Sequence, residues 1–144
     1  MAAVCAPGLS ALINANNPGE IIVTDANDSA ALTQAIEKFY NAILKRLRDG
    51  NIKAILCTPA AIGEKTDFSN QQDGDMNSYS NIIRSIAQKN NLPLVDLRRV
   101  FLEYNKKNNP ENKDRGILTT DRVHLNAKGD QMVADEMWKV IKRN

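Results

Sequence analysis

One histidine, His124, is all that the 144 residues contain, and cysteine stops at two, Cys5 and Cys57. A structural zinc site takes about four ligands, and a disulfide framework takes an even set of spaced cysteines. Neither pattern is present, so no metal and no other cofactor is expected. Cys57, inside the apolar run AILCTP, reads as a buried thiol in a reducing compartment. A large excess of one charge sign is missing too. Nineteen basic and seventeen acidic residues leave +2, too little to imply a nucleic-acid partner. Lys45, Arg46 and Arg48 form a basic cluster, but Glu37 and Asp49 lie nearby and a solvated helix face accounts for them. No apolar run approaches the roughly 20 residues of a membrane span. The opening MAAVCAPGLSALI lacks the basic start and long apolar core of a secretory signal. A soluble, cytoplasmic protein with no membrane partner is therefore expected. Gly-x-Gly-x-x-Gly and the P-loop are also missing, so a nucleotide-binding α/β domain would lack its phosphate cradle.

What remains is ordinary in amount and regular in order. Apolar residues make up 42% and charged residues 25%, as in a globular protein. The length suits one domain with a core of its own, over residues 1–144. EIIVTD (20–25) reads as a short buried strand. Asp28 or Ser29 then caps a helix whose stripe is Leu32, Ile36, Phe39, Tyr40, Ile43, Leu44 and Leu47, closed by Gly50. IKAILCTP (52–59) is a second strand, and 60–75 a long polar loop. A helix follows with Met76, Tyr79, Ile82, Ile83, Ile86 and Ala87 on one stripe. LPLVDL (92–97) is a third strand and RRVFLEYNKK a short helix. A second long loop, 108–123, leads to a last helix. Asn126 is its N-cap, and it buries Met132, Val133, Met137, Val140 and Ile141. Strands alternating with helices predict a parallel sheet covered on both faces. Chemistry in such sheets gathers beyond the strands' carboxyl ends. Three loops arrive there: 25–28, 58–75 and the stretch holding His124. Residues 1–19 fit this pattern least well. AAVCAP could be a first strand, but LSALINAN is barely long enough for a crossover helix.

Two short constellations could carry chemistry. TTDRVHLNAKGD (119–130) places Asp121 three residues before His124. A histidine base needs a carboxylate to hold its tautomer and stabilise the imidazolium. By spacing alone, a solvated loop histidine is the better reading. TDANDSA (24–30) could present the Asn27 amide to a developing oxyanion, or Asn27 and Asp28 could simply make the turn and cap the helix.

Taken in order, NDS after a strand, TP after the next, VDL in the third and TTDRVHLNAKGDQMVADEMW before the closing helix resemble the SGNH, or GDSL, hydrolases. The likeness is to the isoamyl-acetate-hydrolysing esterase-like branch and runs from about residue 18 to the end. It implies a three-layer α/β/α, flavodoxin-like parallel sheet, shortened at the N-terminus. It also implies ester hydrolysis of small acyl esters by a Ser-His-Asp mechanism. By that resemblance, Asp121 is the orienting acid, His124 the general base and Asn27 an oxyanion donor. The family's Gly-x-Asn-Asp reads Asp25-Ala26-Asn27-Asp28 here, so an acidic side chain replaces the glycine.

The family's serine block, Gly-Asp-Ser, does not occur in the chain. Gly8-Leu9-Ser10 is the nearest string and makes Ser10 the candidate nucleophile. GLS is alternatively a remnant of the block that supplies an oxyanion glycine, which makes Gly8 a candidate oxyanion or substrate-binding residue and leaves the nucleophile missing. Ser29 is a rival. The alternative to an esterase is a catalytically silent or truncated SGNH-fold protein acting as a binding or interaction module. In that case the unpaired sheet edge favours a homodimer.

Overall fold

The computed structural model describes residues 2–5 and 29–143, with side chains described from residue 33. The order of elements is β1 (Ala2–Cys5), α1 (Ser29–Asp49), β2 (Ala54–Cys57), α2 (Asp73–Lys89), β3 (Leu94–Val95), α3 (Leu97–Asn108) and α4 (Ala127–Ile141). The expected strand at 20–25 lies outside the described residues. AAVC does form a strand, and it pairs with β2 from Ala2 opposite Ala54 to Cys5 opposite Cys57. β2 pairs with β3 on its other side, and both pairings are parallel.

The period of two along β2 builds the layers. Ala54 and Leu56 face a core with Ile36, Tyr40 and Leu44 of α1 and Ile83, Ile86 and Ala87 of α2. Ile55 and Cys57 point the other way. They join Val95, Phe101 of α3 and Leu118, with Met132, Val133, Met137 and Val140 of α4 packed against them. All four β2 residues are buried, as a strand covered on both faces requires. Helix, sheet and helix therefore make three layers, the expected α/β arrangement.

Local chemistry explains where α1 and α2 stop. Gly50 follows α1, as expected, but the residue in the left-handed region is Asn51, at φ 55°. Ile52 N donates to Leu47 O and Asn51 N to Arg48 O, the paired bonds of a Schellman ending. Gly50 is thus not the left-handed closing residue. α2 ends identically, with Asn91 at φ 50° and bonds from Leu92 N to Ala87 O and Asn91 N to Gln88 O. Asparagine is among the few side chains that tolerate this conformation.

The last helix departs from expectation. Met132, Val133, Met137 and Val140 are only partly buried, and Ile141 is 38% exposed. Its one fully buried residue is Gly129. A Cβ there would collide with the Leu118 carbonyl oxygen and press on Leu125 at 3.2 Å. α4 is seated by this close backbone approach at its first turn, and its apolar stripe contributes less than the periodicity implied.

Lys45, Arg46 and Arg48 are exposed, as a solvated face requires, and Lys45 pairs with Asp49 at 2.6 Å. No described helix is long and apolar enough to cross a membrane.

Candidate active site

Asp121 and His124 meet. Asp121 Oδ2 lies 2.7 Å from His124 Nδ1. The other carboxylate oxygen, Oδ1, accepts from the backbone N–H of His124 at 2.8 Å and of Val123 at 3.1 Å. One carboxylate therefore fixes both the turn and the ring. This needs Arg122 in a positive-φ conformation, at 85°, which is uncommon for a non-glycine residue. Thr120 closes the turn, with its N–H donating to His124 O at 2.8 Å. Thr119 and Leu125 form an antiparallel bridge at its base. The hydrogen bond from His124, then the two backbone N–H groups, hold the Asp121 carboxyl well below the usual carboxylate range. With Nδ1–H donated to Asp121, the neutral ring keeps Nε2 as its free acceptor. His124 is 79% and Asp121 53% exposed, so the ring is accessible to a reacting group.

The turn is placed from the strand end. Asn126 caps α4, accepting from Lys128 N and Gly129 N at 3.0 Å, as expected from the sequence. Asn126 N donates to Leu118 O. The loop leaving β2 reaches across to the same segment. Gly63 N donates to Arg122 O at 2.8 Å. Gly63 has φ +85°, and its missing Cβ leaves room for the Asn70 side chain. The two loops that the sequence sent to the carboxyl end of the sheet are thus joined by hydrogen bonds.

Glu64 is the residue that sequence reading passed over. It is 1% exposed. Its Oε2 accepts from Ile117 N at 2.7 Å, and its Oε1 from Leu118 N at 2.6 Å and Thr119 N at 2.5 Å. Three successive backbone N–H groups converge on one carboxylate. Its own backbone carbonyl accepts from Asn109 Nδ2 at 2.9 Å. The only sequence signal was its place in a long polar loop, because its partners lie more than 50 residues downstream.

The TP and VDL strings also come together. Thr58 Oγ1 donates to Asp96 Oδ1 at 3.2 Å and accepts from Arg98 N at 2.9 Å. Arg84 grips Asp96 through two nitrogens, at 2.9 and 2.8 Å. Burial pushes the Asp96 carboxyl up, but the Arg84 hydrogen bonds and the other donors outweigh it, and the net direction is down. Arg98 is buried and pairs with buried Asp73 at 2.6 Å. These groups tie β2 and β3 to α2 and α3 just past the strand ends.

Gly8, Ser10 and Asn27 lie outside the described residues. Ser29 is the first residue of α1. Among the described residues, no group of three or more His, Cys, Asp and Glu side chains could hold a metal ion.

The described elements define a three-layer α/β protein that carries a carboxylate–imidazole pair on the turn before its last helix. Residues 12–132 match the GDSL-like lipase/acylhydrolase family, and the chain belongs to that family. Among solved structures, it is 60% identical to an acetyl xylan esterase, AlAXEase, with a TM-score of 0.72 over 81% of this chain. This chain spans 57% of that protein's length. LAE5, an α/β hydrolase enzyme from the metagenome of Lake Arreo, Spain, shares the fold. Its TM-score is 0.57 at 19% identity, over 83% of this chain and 50% of its own. No match was found among curated proteins.

Proposed function

We propose that the protein is a carboxylic ester hydrolase acting on small acyl esters by a Ser-His-Asp mechanism, with His124 as base and Asp121 as its orienting acid. The observation that carries this is the 2.7 Å Asp121–His124 contact, made on a turn that both Gly63 and Glu64 hold. The serine hydroxyl gives its proton to His124 Nε2 as its oxygen attacks the ester carbonyl carbon. The oxyanion is met by donors such as the Asn27 amide. The tetrahedral species then expels the alcohol, which takes the proton from His124 and leaves an acyl-serine. Water, activated by the same imidazole, releases the acid and restores the serine. Asp121 stays ionised throughout, because its hydrogen bond to His124 and two backbone N–H groups favour the charged form. Ser10 is the proposed nucleophile. Acetyl groups on a polysaccharide are the proposed substrate, since the 60% identical structure is an acetyl xylan esterase.

A fluorophosphonate probe followed by peptide mass spectrometry tests this. Stoichiometric labelling at Ser10 is expected, together with acetate release from acetylated xylan and p-nitrophenyl acetate that falls on the order of a thousandfold or more in His124→Ala. Labelling at Ser29 would move the nucleophile. No labelling of well-folded protein would establish the silent module instead.

A further inference from the structure

We propose that Glu64 is a positioning residue for His124, setting the tautomer and placement of the imidazole through the backbone of residues 117–119. Its kinetic consequence rests on the esterase reading above; its structural consequence does not. The hydrogen bonds of the Glu64 carboxylate go to neither Asp121 nor His124. It acts through a short and continuous path. Its carboxylate takes the N–H of Ile117, Leu118 and Thr119. Thr119 is bridged to Leu125, Thr119 Oγ1 accepts from Arg122 N, and Thr120 N donates to His124 O. The residue before Glu64 holds the far side of the same turn, by Gly63 N to Arg122 O. A Gly-Glu pair on the β2 loop therefore grips both flanks of the segment that carries the acid and the base.

The site needs a carboxylate and not merely a polar side chain. Three donors converge on two acceptor oxygens, and Glu64 is buried, so water cannot freely replace a lost acceptor. An amide has one acceptor oxygen, and its NH₂ would face an N–H donor head on. Glu64→Gln is nearly the same shape, yet it frees at least one end of the grip. A displacement of about 1 Å at the ring is enough to lower turnover on the order of a hundredfold.

His124 is the only histidine in the chain, so ¹⁵N NMR of the imidazole reads it without assignment. In the wild type, the neutral form of the ring is expected to carry its proton on Nδ1, in the hydrogen bond with Asp121. In Glu64→Gln the Nδ1–H tautomer should be lost or averaged. Turnover of p-nitrophenyl acetate should fall about tenfold or more, with KM within about twofold. Glu64→Asp keeps the charge and should recover part of both readouts. It also carries the test if the glutamine variant does not fold. A folded Glu64→Gln protein with a lower Tm but an unchanged tautomer would overturn the proposal and leave Glu64 a purely structural residue. Equal esterase activity in wild type and His124→Ala would refute the esterase reading alone, since the tautomer measurement still decides the role of Glu64.

Discussion

Glu64 and Asp121 each gather successive backbone N–H groups with a carboxylate, one in the interior and one at the surface. Glu64 takes three and spends both oxygens on them. Asp121 takes two on one oxygen and keeps the other for the His124 ring. Depth separates their consequences. A buried acceptor that vanishes leaves donors with nothing to bind, whereas water replaces an exposed one. The buried carboxylate therefore governs whether the loop holds its shape. The exposed one bonds the histidine ring directly, whereas the buried one reaches it only through the backbone.

Exchanging the two losses should give opposite profiles. Asp121→Asn is expected to lower kcat/KM on the order of 10³–10⁴-fold with little change in Tm. Its amide NH₂ would face Nδ1–H, so the ring would carry its proton on Nε2 and could no longer accept one from the proposed nucleophile. Glu64→Ala is expected to cost about 3 kcal/mol or more in stability, because three donors lose their acceptor in a dry site. Chemical denaturation beside p-nitrophenyl acetate kinetics checks both. If Asp121→Asn lost stability as heavily as Glu64→Ala, the distinction by depth would be wrong.

The far side of the same loop provides the next contrast. Leu118 is locked twice, its N–H by Glu64 and its carbonyl by Asn126 N. Gly129 lies against that carbonyl, where a Cβ cannot fit. Gly129→Ala should cost about 1–3 kcal/mol through overpacking. Gly74, in the first turn of α2, is open: a Cβ there would meet nothing within 4 Å. Gly74→Ala should therefore gain up to about 1 kcal/mol from helix propensity. Equal effects at the two glycines would mean that α4 is not seated by the contact with Leu118.

How much of this was legible in the chain follows from the reach of each interaction. α1 and α2 were legible because their stripes repeat within each helix. Asn126 was legible because a cap acts over two or three residues, and Asp121–His124 because they are three positions apart. The helix ends were half legible. Gly50 drew attention, but Asn51 and Asn91 adopt the left-handed conformation, and many of the other described asparagines do nothing of the kind. Glu64 was not legible at all, since a charged residue in a polar loop looks solvated until its partners 53 to 55 positions later are seen. The exposure of α4 was hidden for the converse reason. Periodicity shows which face of a helix is apolar, not how closely another layer covers it.

The smallest expected effect concerns pH. The folded Asp121 carboxyl is held below its ordinary value of 3.8, chiefly by the hydrogen bond with His124 and then by the N–H groups of His124 and Val123. An unfolded chain returns it to about 3.9. A depressed folded value means the unfolded chain takes up the proton first, so acid favours unfolding. The contribution is complete above the unfolded value and is lost as pH falls through the folded one. The Asp121→Asn variant has no such proton to bind. The Tm difference between wild type and this variant should therefore be fully developed near about pH 5 and narrow steadily below it. Because the carboxylate is exposed, the change should be small beside that of Glu64→Ala. Thermal melts of both proteins in matched buffers between about pH 5 and 2.5 measure it. A difference that widened on acidification would reverse the sign and show that the Asp121 carboxyl is not stabilised in its charged form.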